Sequence, residues 1–211
     1  MANKDHYFSH FPDVNLKVHT ISESLRRHLY VFKTTTGTFS YKKIDLGTKV
    51  LIKHMRIPKK TNTLLDLGCG YGPIGIVLGY QSPQSEIYFI DINRRAIWAT
   101  KENIKLNLPQ SQDRLHVLTG DYFEPISSMK NTFDGIYMNP PMRRGKEEFI
   151  NVCKKVPEYL KSDGFFQFVI RRKMGASSMY DILKDYFSPD TVQIICKRSG
   201  YWVFYLTIDK N

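Results

Sequence analysis

Two segments of this chain carry residue types and spacings that could do chemistry. In Leu64-Leu65-Asp66-Leu67-Gly68-Cys69-Gly70-Tyr71-Gly72, glycines recur at every second position after a short apolar run. They let the backbone turn sharply against a ligand and aim the amide end of the following helix at it. Pro73 stands where the third glycine of a dinucleotide fingerprint would fall. Without a diphosphate to cradle, the Asp66 carboxylate ahead of the glycines suits a ligand carrying an amino group. Asp91 closes the next apolar run, where a carboxylate accepts the two hydrogen bonds of vicinal ribose hydroxyls. Asp121 follows the run after that and is placed to accept from an exocyclic amine such as that of adenine. The second segment is Met138-Asn139-Pro140-Pro141-Met142-Arg143-Arg144-Gly145. Its two prolines stiffen the chain and remove two donors, which leaves the Asn139 side-chain oxygen and the Pro140 carbonyl as paired acceptors for a planar NH₂ group.

Other constellations are weaker. His6 and His10 have the i, i+4 spacing of a metal pair but no third ligand, so no metal is expected. Cys69, Cys153 and Cys196 are widely spaced and form no Cys-x-x-Cys pair, which reads as reduced packing cysteines. Arg143, Arg144 and Lys146 beside the proline segment, and Arg171, Arg172 and Lys173 after a later apolar run, are candidate phosphate contacts.

Positioning these residues requires alternating strands and helices. Thr63–Leu67, Glu86–Ile90, Leu115–Leu118, Phe133–Met138 and Phe165–Ile170 read as strands. Between and after them, Pro73–Tyr80, Arg94–Asn107, Phe149–Leu160 (with Pro157 as a break or kink) and Ser177–Phe187 read as helices. Val192–Cys196 and Tyr201–Ile208 form a terminal hairpin around Ser199-Gly200. The expected fold is α/β: a doubly wound, Rossmann-like, seven-stranded and mostly parallel sheet closed by an antiparallel hairpin. A small N-terminal extension precedes it. There Tyr30–Lys33 and Thr38–Tyr41 flank Thr-Thr-Gly37 as a hairpin, and Val50, Leu51, His54 and Met55 follow helical spacing.

The 211 residues suit one domain of ordinary size with an extension. A share of 42% hydrophobic against 24% charged residues excludes a disordered or fibrous chain. No apolar run approaches the roughly 20 residues of a spanning helix, and residues 1–11 have no signal-peptide core. A soluble, cytoplasmic protein without a membrane partner is expected. The formal net charge is +11. Residues 1–60 hold twelve basic and four acidic side chains, hence +8 of that surplus, and 61–211 are nearly balanced. The division expected is a basic section, 1–60, packed on a ligand-binding core, 61–211, with a polyanion such as RNA as partner.

Taken together, Leu-Asp-Leu-Gly-Cys-Gly-Tyr-Gly, the acid ending the next strand, Gly120-Asp121-Tyr122-Phe123 and Asn139-Pro140-Pro141 resemble the class I S-adenosylmethionine-dependent methyltransferases of the "methyltransferase small" family. Gly37-Thr38-Phe39-Ser40 and Asp45-Leu46-Gly47-Thr48 resemble that family's upstream segments. With Asn-Pro-Pro-x-Arg-x-Gly they resemble the ribosomal small-subunit RNA guanine-N2 methyltransferases and their single-domain archaeal relatives. The resemblance implies S-adenosylmethionine as cofactor. Asp66, Gly68, Cys69, Gly70 and Gly72 would lie at its methionine part, Asp91 with Ile92 at its ribose, and Asp121 with Tyr122 at its adenine. Asn139, Pro140 and Pro141 would hold the amine to be methylated. Met142 stands where many such enzymes have an aromatic residue, which assigns base stacking to Phe39. The bacterial RNA enzymes carry a second, degenerate domain copy that helps bind RNA and for which 211 residues leave no room. Arg26, Arg27, Lys42 and Lys43 of the basic section, together with Arg143 and Arg144, are therefore expected to grip RNA. Glutamine-amide or adenine-N6 methylation, and a non-catalytic RNA-binding scaffold, are the alternatives.

Overall fold

A computed structural model describes residues 15–58 and 62–208; the His6/His10 pair lies outside them. The chain opens with an antiparallel hairpin of β1 (Val18–Leu25) and β2 (His28–Thr35), followed by α1 (Leu46–His54). The remaining elements alternate: β3 (Thr63–Leu67), α2 (Pro73–Gln81), β4 (Glu86–Asp91), α3 (Arg94–Asn107), β5 (Leu115–Thr119), β6 (Phe133–Met138), α4 (Lys146–Tyr159), β7 (Leu160–Arg171), α5 (Ala176–Tyr186), β8 (Val192–Arg198) and β9 (Tyr201–Thr207). Strands β3 to β9 form one sheet in the order β5-β4-β3-β6-β7-β9-β8, parallel through β7, with β9 and β8 antiparallel. Both faces are covered. Leu64, Phe89 and Tyr137 face α1, α2, α3 and the hairpin, whereas Leu65, Ile136 and Phe168 face α4 and α5. Burial on two faces explains why these strands read as continuous apolar runs. Pro157 lies inside α4, which continues to Tyr159 rather than breaking.

The front section corrects the sequence reading. The hairpin turns at Arg26-Arg27, not at Thr-Thr-Gly37. Both arginines adopt left-handed φ, 48° and 68°, the hand that two-residue hairpin turns need. Residues 38–41 form turns instead of a strand, held by Thr34 Oγ1 donating to Tyr41 O and Thr38 Oγ1 to Thr35 O. The true partner, Val-His-Thr-Ile-Ser-Glu-Ser-Leu, turns mostly polar side chains inward and outward and so carries little apolar signal. The hairpin shares the core, with Tyr30 and Phe32 fully buried in the cluster that holds α1, α2 and α3. Its open edge is closed by a side-chain ladder from α3. Asn103 accepts from Lys33 N at 2.6 Å and donates to Lys33 O at 2.8 Å, while Asn107, one turn on, does the same for Val31 at 3.1 and 2.8 Å. Asparagine amides thus replace a third strand and satisfy an otherwise unpaired edge.

Candidate active site

The strand order reverses at β3, whose neighbours are β4 and β6, so the loops after β3 and β6 part over the carboxyl ends of the strands. This is where ligands bind in doubly wound sheets. A cavity of about 400 Å³ occupies this crevice, a size suited to a small-molecule ligand. One half is lined by Gly68, Cys69, Gly70 and Tyr71, by Asp91, Ile92 and Asn93, and by Gly120, Asp121 and Tyr122; the other by Phe39, Asp45, Thr48, Asn139 to Arg144, Arg171, Met174 and Tyr201.

The glycine loop is pinned to β4, with Gly68 N and Cys69 N donating to Ile90 O at 2.8 and 2.9 Å. Gly70 has φ +60°, and a Cβ there would meet no atom within 4 Å, so the loop leaves its open side to a ligand. Asp91 takes Gly70 N on one oxygen and Asn93 N on the other, both at 2.8 Å, and each oxygen keeps a lone pair. Burial raises its pKa, and those two N–H bonds offset the rise only in part. Asp66 and Gly72 do not line the cavity. Asp66 is fully buried beneath the loop, where Oδ2 accepts from Gly75 N at 2.8 Å and Oδ1 has no partner; burial pushes its pKa up to about 7. Gly72, with φ +90°, turns the chain into α2. Cys69 is buried, and its thiol, raised well above the ordinary range by burial, is a packing group.

At the other half, Asn139 has a defined orientation. Its Nδ2 donates to Asp45 Oδ2 at 3.1 Å and to Thr48 Oγ1 at 2.8 Å. A carboxylate can only accept, so the amide nitrogen must face Asp45, and Oδ1 is left as an acceptor. The Pro140 carbonyl accepts from Met142 N at 2.8 Å and retains its second lone pair. Asp45 itself caps α1 by accepting from Thr48 N. Asp45 and Thr48 line the cavity and orient Asn139, a role that sequence reasoning missed. The Asp-Leu-Gly-Thr segment is visible in the sequence, but its contact with a residue 94 positions away is not.

The arginines divide. Arg144 bonds Glu148 at 2.8 Å and Asp121 at 3.3 Å, and Tyr122 donates to the same Glu148 oxygen at 2.8 Å, so its charge is used inside the wall at the Asp121 end. Arg26 donates to Ile52 O and Met55 O at the end of α1. Both guanidinium groups, expected to face a polyanion, thus also hold the fold. Arg27, Lys42, Lys43 and Arg143 are exposed and make no ion pair among the described residues. Phe39 lines the cavity at 49% exposure, an aromatic face open to a planar ligand. Among the described residues, no three His, Cys, Asp or Glu side chains are grouped to hold a metal, and no helix is long and apolar enough to cross a membrane.

A family model described as the methyltransferase small domain matches residues 29–205. The chain belongs to that family. Membership makes it an S-adenosylmethionine-dependent methyltransferase, and the open Gly70 cradle and the lone pairs of Asp91, both on the cavity wall, fit that cofactor. The match begins inside the hairpin, upstream of residue 61. Among its relatives is the uncharacterized protein YbxB of Bacillus subtilis, 35% identical over 199 residues, covering 94% of this chain and 96% of that one. The ribosomal RNA small subunit methyltransferase C of Shewanella sediminis is 30% identical over 174 residues, 80% of this chain and 46% of that protein. In fold, the chain is similar to the Thermus thermophilus 16S rRNA N2 G1207 methyltransferase solved with AdoMet and guanosine, with TM-score 0.74 and 20% identity over 93% of this chain and 52% of that one. The chain thus spans about half the length of these ribosomal RNA enzymes.

Proposed function

We propose that this methyltransferase small domain protein methylates the exocyclic N2 amine of a guanine in structured RNA, with small-subunit ribosomal RNA as the substrate class. The observation that carries the reading is the orientation of Asn139: with both N–H groups spent on Asp45 and Thr48, its Oδ1 is left as an acceptor on a residue that lines the cavity next to Pro140, whose carbonyl would be the second. An exocyclic amine is a poor nucleophile because its lone pair is delocalised into the ring. Two acceptors at its N–H bonds draw that lone pair out of conjugation and aim it. When bound, S-adenosylmethionine supplies an already activated methyl group. The protein's work is therefore alignment and stabilisation of the charge that grows on the amine, for which preorganised acceptors suffice. Phe39 offers a face for the base, and the exposed Arg27, Lys42, Lys43 and Arg143 offer charge to phosphates. A base paired in a duplex would have to be flipped out to reach Asn139. Two of the proteins it resembles are ribosomal RNA methyltransferases, which supports RNA as substrate. Incubation with tritiated methyl donor and unmethylated ribosomal RNA tests the reading. Label is expected in the RNA, and label confined to protein would overturn it.

A further inference from the structure

Asp45 has one oxygen the orientation of Asn139 does not use. Its Oδ2 accepts from Thr48 N and from Asn139 Nδ2, both at 3.1 Å, whereas Oδ1 accepts from no described residue although Asp45 lines the cavity. The carboxylate cannot swing freely. It caps α1, and the Tyr201 ring packs on the same turn so closely that a Cβ on Gly47 would sit 2.8 Å from it and 2.9 Å from Asp45 Oδ2. Asn139 Oδ1 and Asp45 Oδ1 are thus two acceptors without a described partner, on neighbouring residues that both line the cavity.

We infer that Asp45 is a specificity-determining residue: its free Oδ1 accepts the ring N1–H that adjoins the amine in guanine, so that this carboxylate selects guanine over adenine at the site. The inference rests on the RNA-methylating reading above and deepens it. Guanine presents two adjacent donors, the N2 amine and N1–H, for the two free acceptors, Asn139 Oδ1 and Asp45 Oδ1. Adenine presents its amine beside an unprotonated N1, whose lone pair would face a fixed carboxylate. A site built to accept a hydrogen bond rejects the analogue that lacks the donor, because the carboxylate is then desolvated without a partner.

Calorimetry on the full chain saturated with S-adenosylhomocysteine tests this with guanosine and 2-aminopurine riboside. The latter keeps the amine at C2 but has an unprotonated N1. Wild type is expected to prefer guanosine by roughly tenfold or more. Asp45→Asn keeps the helix cap and can direct its amide oxygen at Thr48 N and Asn139 while turning its NH₂ toward N1. In this variant the preference is expected to fall to parity or reverse. Both ligands also differ at O6, equally in both proteins, so the change in ratio isolates the N1 contact. Asp45→Ser, which keeps a capping oxygen but no second one, should lose the preference without reversing it. It serves as the deciding variant if Asp45→Asn melts early. A guanosine preference that survives both substitutions, or a wild type that does not discriminate the two nucleosides, overturns the inference. The proposed function is judged separately, by which methylated nucleoside the wild type forms in RNA.

Discussion

The fully buried carboxyl under the glycine loop gives a pH dependence whose sign can be worked out. Asp66 has one partner, the Gly75 N–H, and burial holds its pKa at about 7, against roughly 3.9 for the unfolded chain. The folded state therefore binds a proton that the unfolded state releases. The stability this group contributes is complete below about pH 4 and is lost as pH rises through about 7. At roughly 1.4 kcal/mol for each tenfold change in proton affinity, the loss across that window is about 4 kcal/mol as an order of magnitude. Asp66→Asn cannot ionise and removes the slope. Its amide oxygen can accept from Gly75 N, but its NH₂ replaces an oxygen that has no partner, at a cost of about 1–3 kcal/mol at every pH. The variant should thus be less stable than wild type at pH 4, where little of the wild-type contribution has been lost, close to it near pH 5, and more stable at pH 8. At roughly 2–4 °C per kcal/mol for a chain of this size, the crossover amounts to a few degrees in Tm at each end. Melts followed by circular dichroism without cofactor from pH 4 to 8 would show it. Parallel profiles for the two proteins would refute the assignment of the slope to Asp66.

Asn139→Ala should lower methyl transfer by about two to three orders of magnitude and leave S-adenosylmethionine affinity, measured by calorimetry, unchanged; weakened cofactor binding would contradict the role given to Asn139. Asn103→Ala removes three hydrogen bonds, to Lys33 N, Lys33 O and Tyr71 O. It should cost about 2–4 kcal/mol in denaturant melts, against about 1 kcal/mol for the more exposed Asn107→Ala. Equal costs would show that the amide ladder does not hold the hairpin as described. Neutralising Arg27, Lys42 and Lys43 together should reduce the slope of log affinity for RNA against log salt by about 2–3. Arg26→Ala should instead lower Tm, because its guanidinium closes the end of α1. A fall in RNA affinity from Arg26→Ala without a change in Tm would reverse that division.

The central strands β3, β6 and β7 are legible because burial on both faces of a sheet writes itself as apolar runs, and helices α2 and α3 because a proline at the first turn and an asparagine cap mark their starts. The glycine loop and Asn139 are legible for the same local reason: each is a short segment whose geometry follows from its own residues. What is not legible depends on pairing across the chain. Strand β1 hides because its side chains are mostly polar, and the apolar pattern points to the wrong side of β2 for its partner. A charge count treats Arg26 and Arg144 like Arg27 and Arg143. Only the fold shows the first two donating to α1 carbonyls and to Glu148 and Asp121. Asp45 sits far upstream of Asn139, and no spacing rule links a helix cap to an amide at the end of a strand in another part of the chain.

Asn139, oriented by Asp45 and Thr48, is proposed to present its oxygen to the N2 amine of a guanine. The most direct measurement is mass-spectrometric nucleoside analysis of unmethylated small-subunit ribosomal RNA after reaction with wild type and with Asn139→Ala. N2-methylguanosine formed by the wild type and absent with the variant is the result expected. N6-methyladenosine, or N2-methylguanosine formed equally by both proteins, would contradict the account.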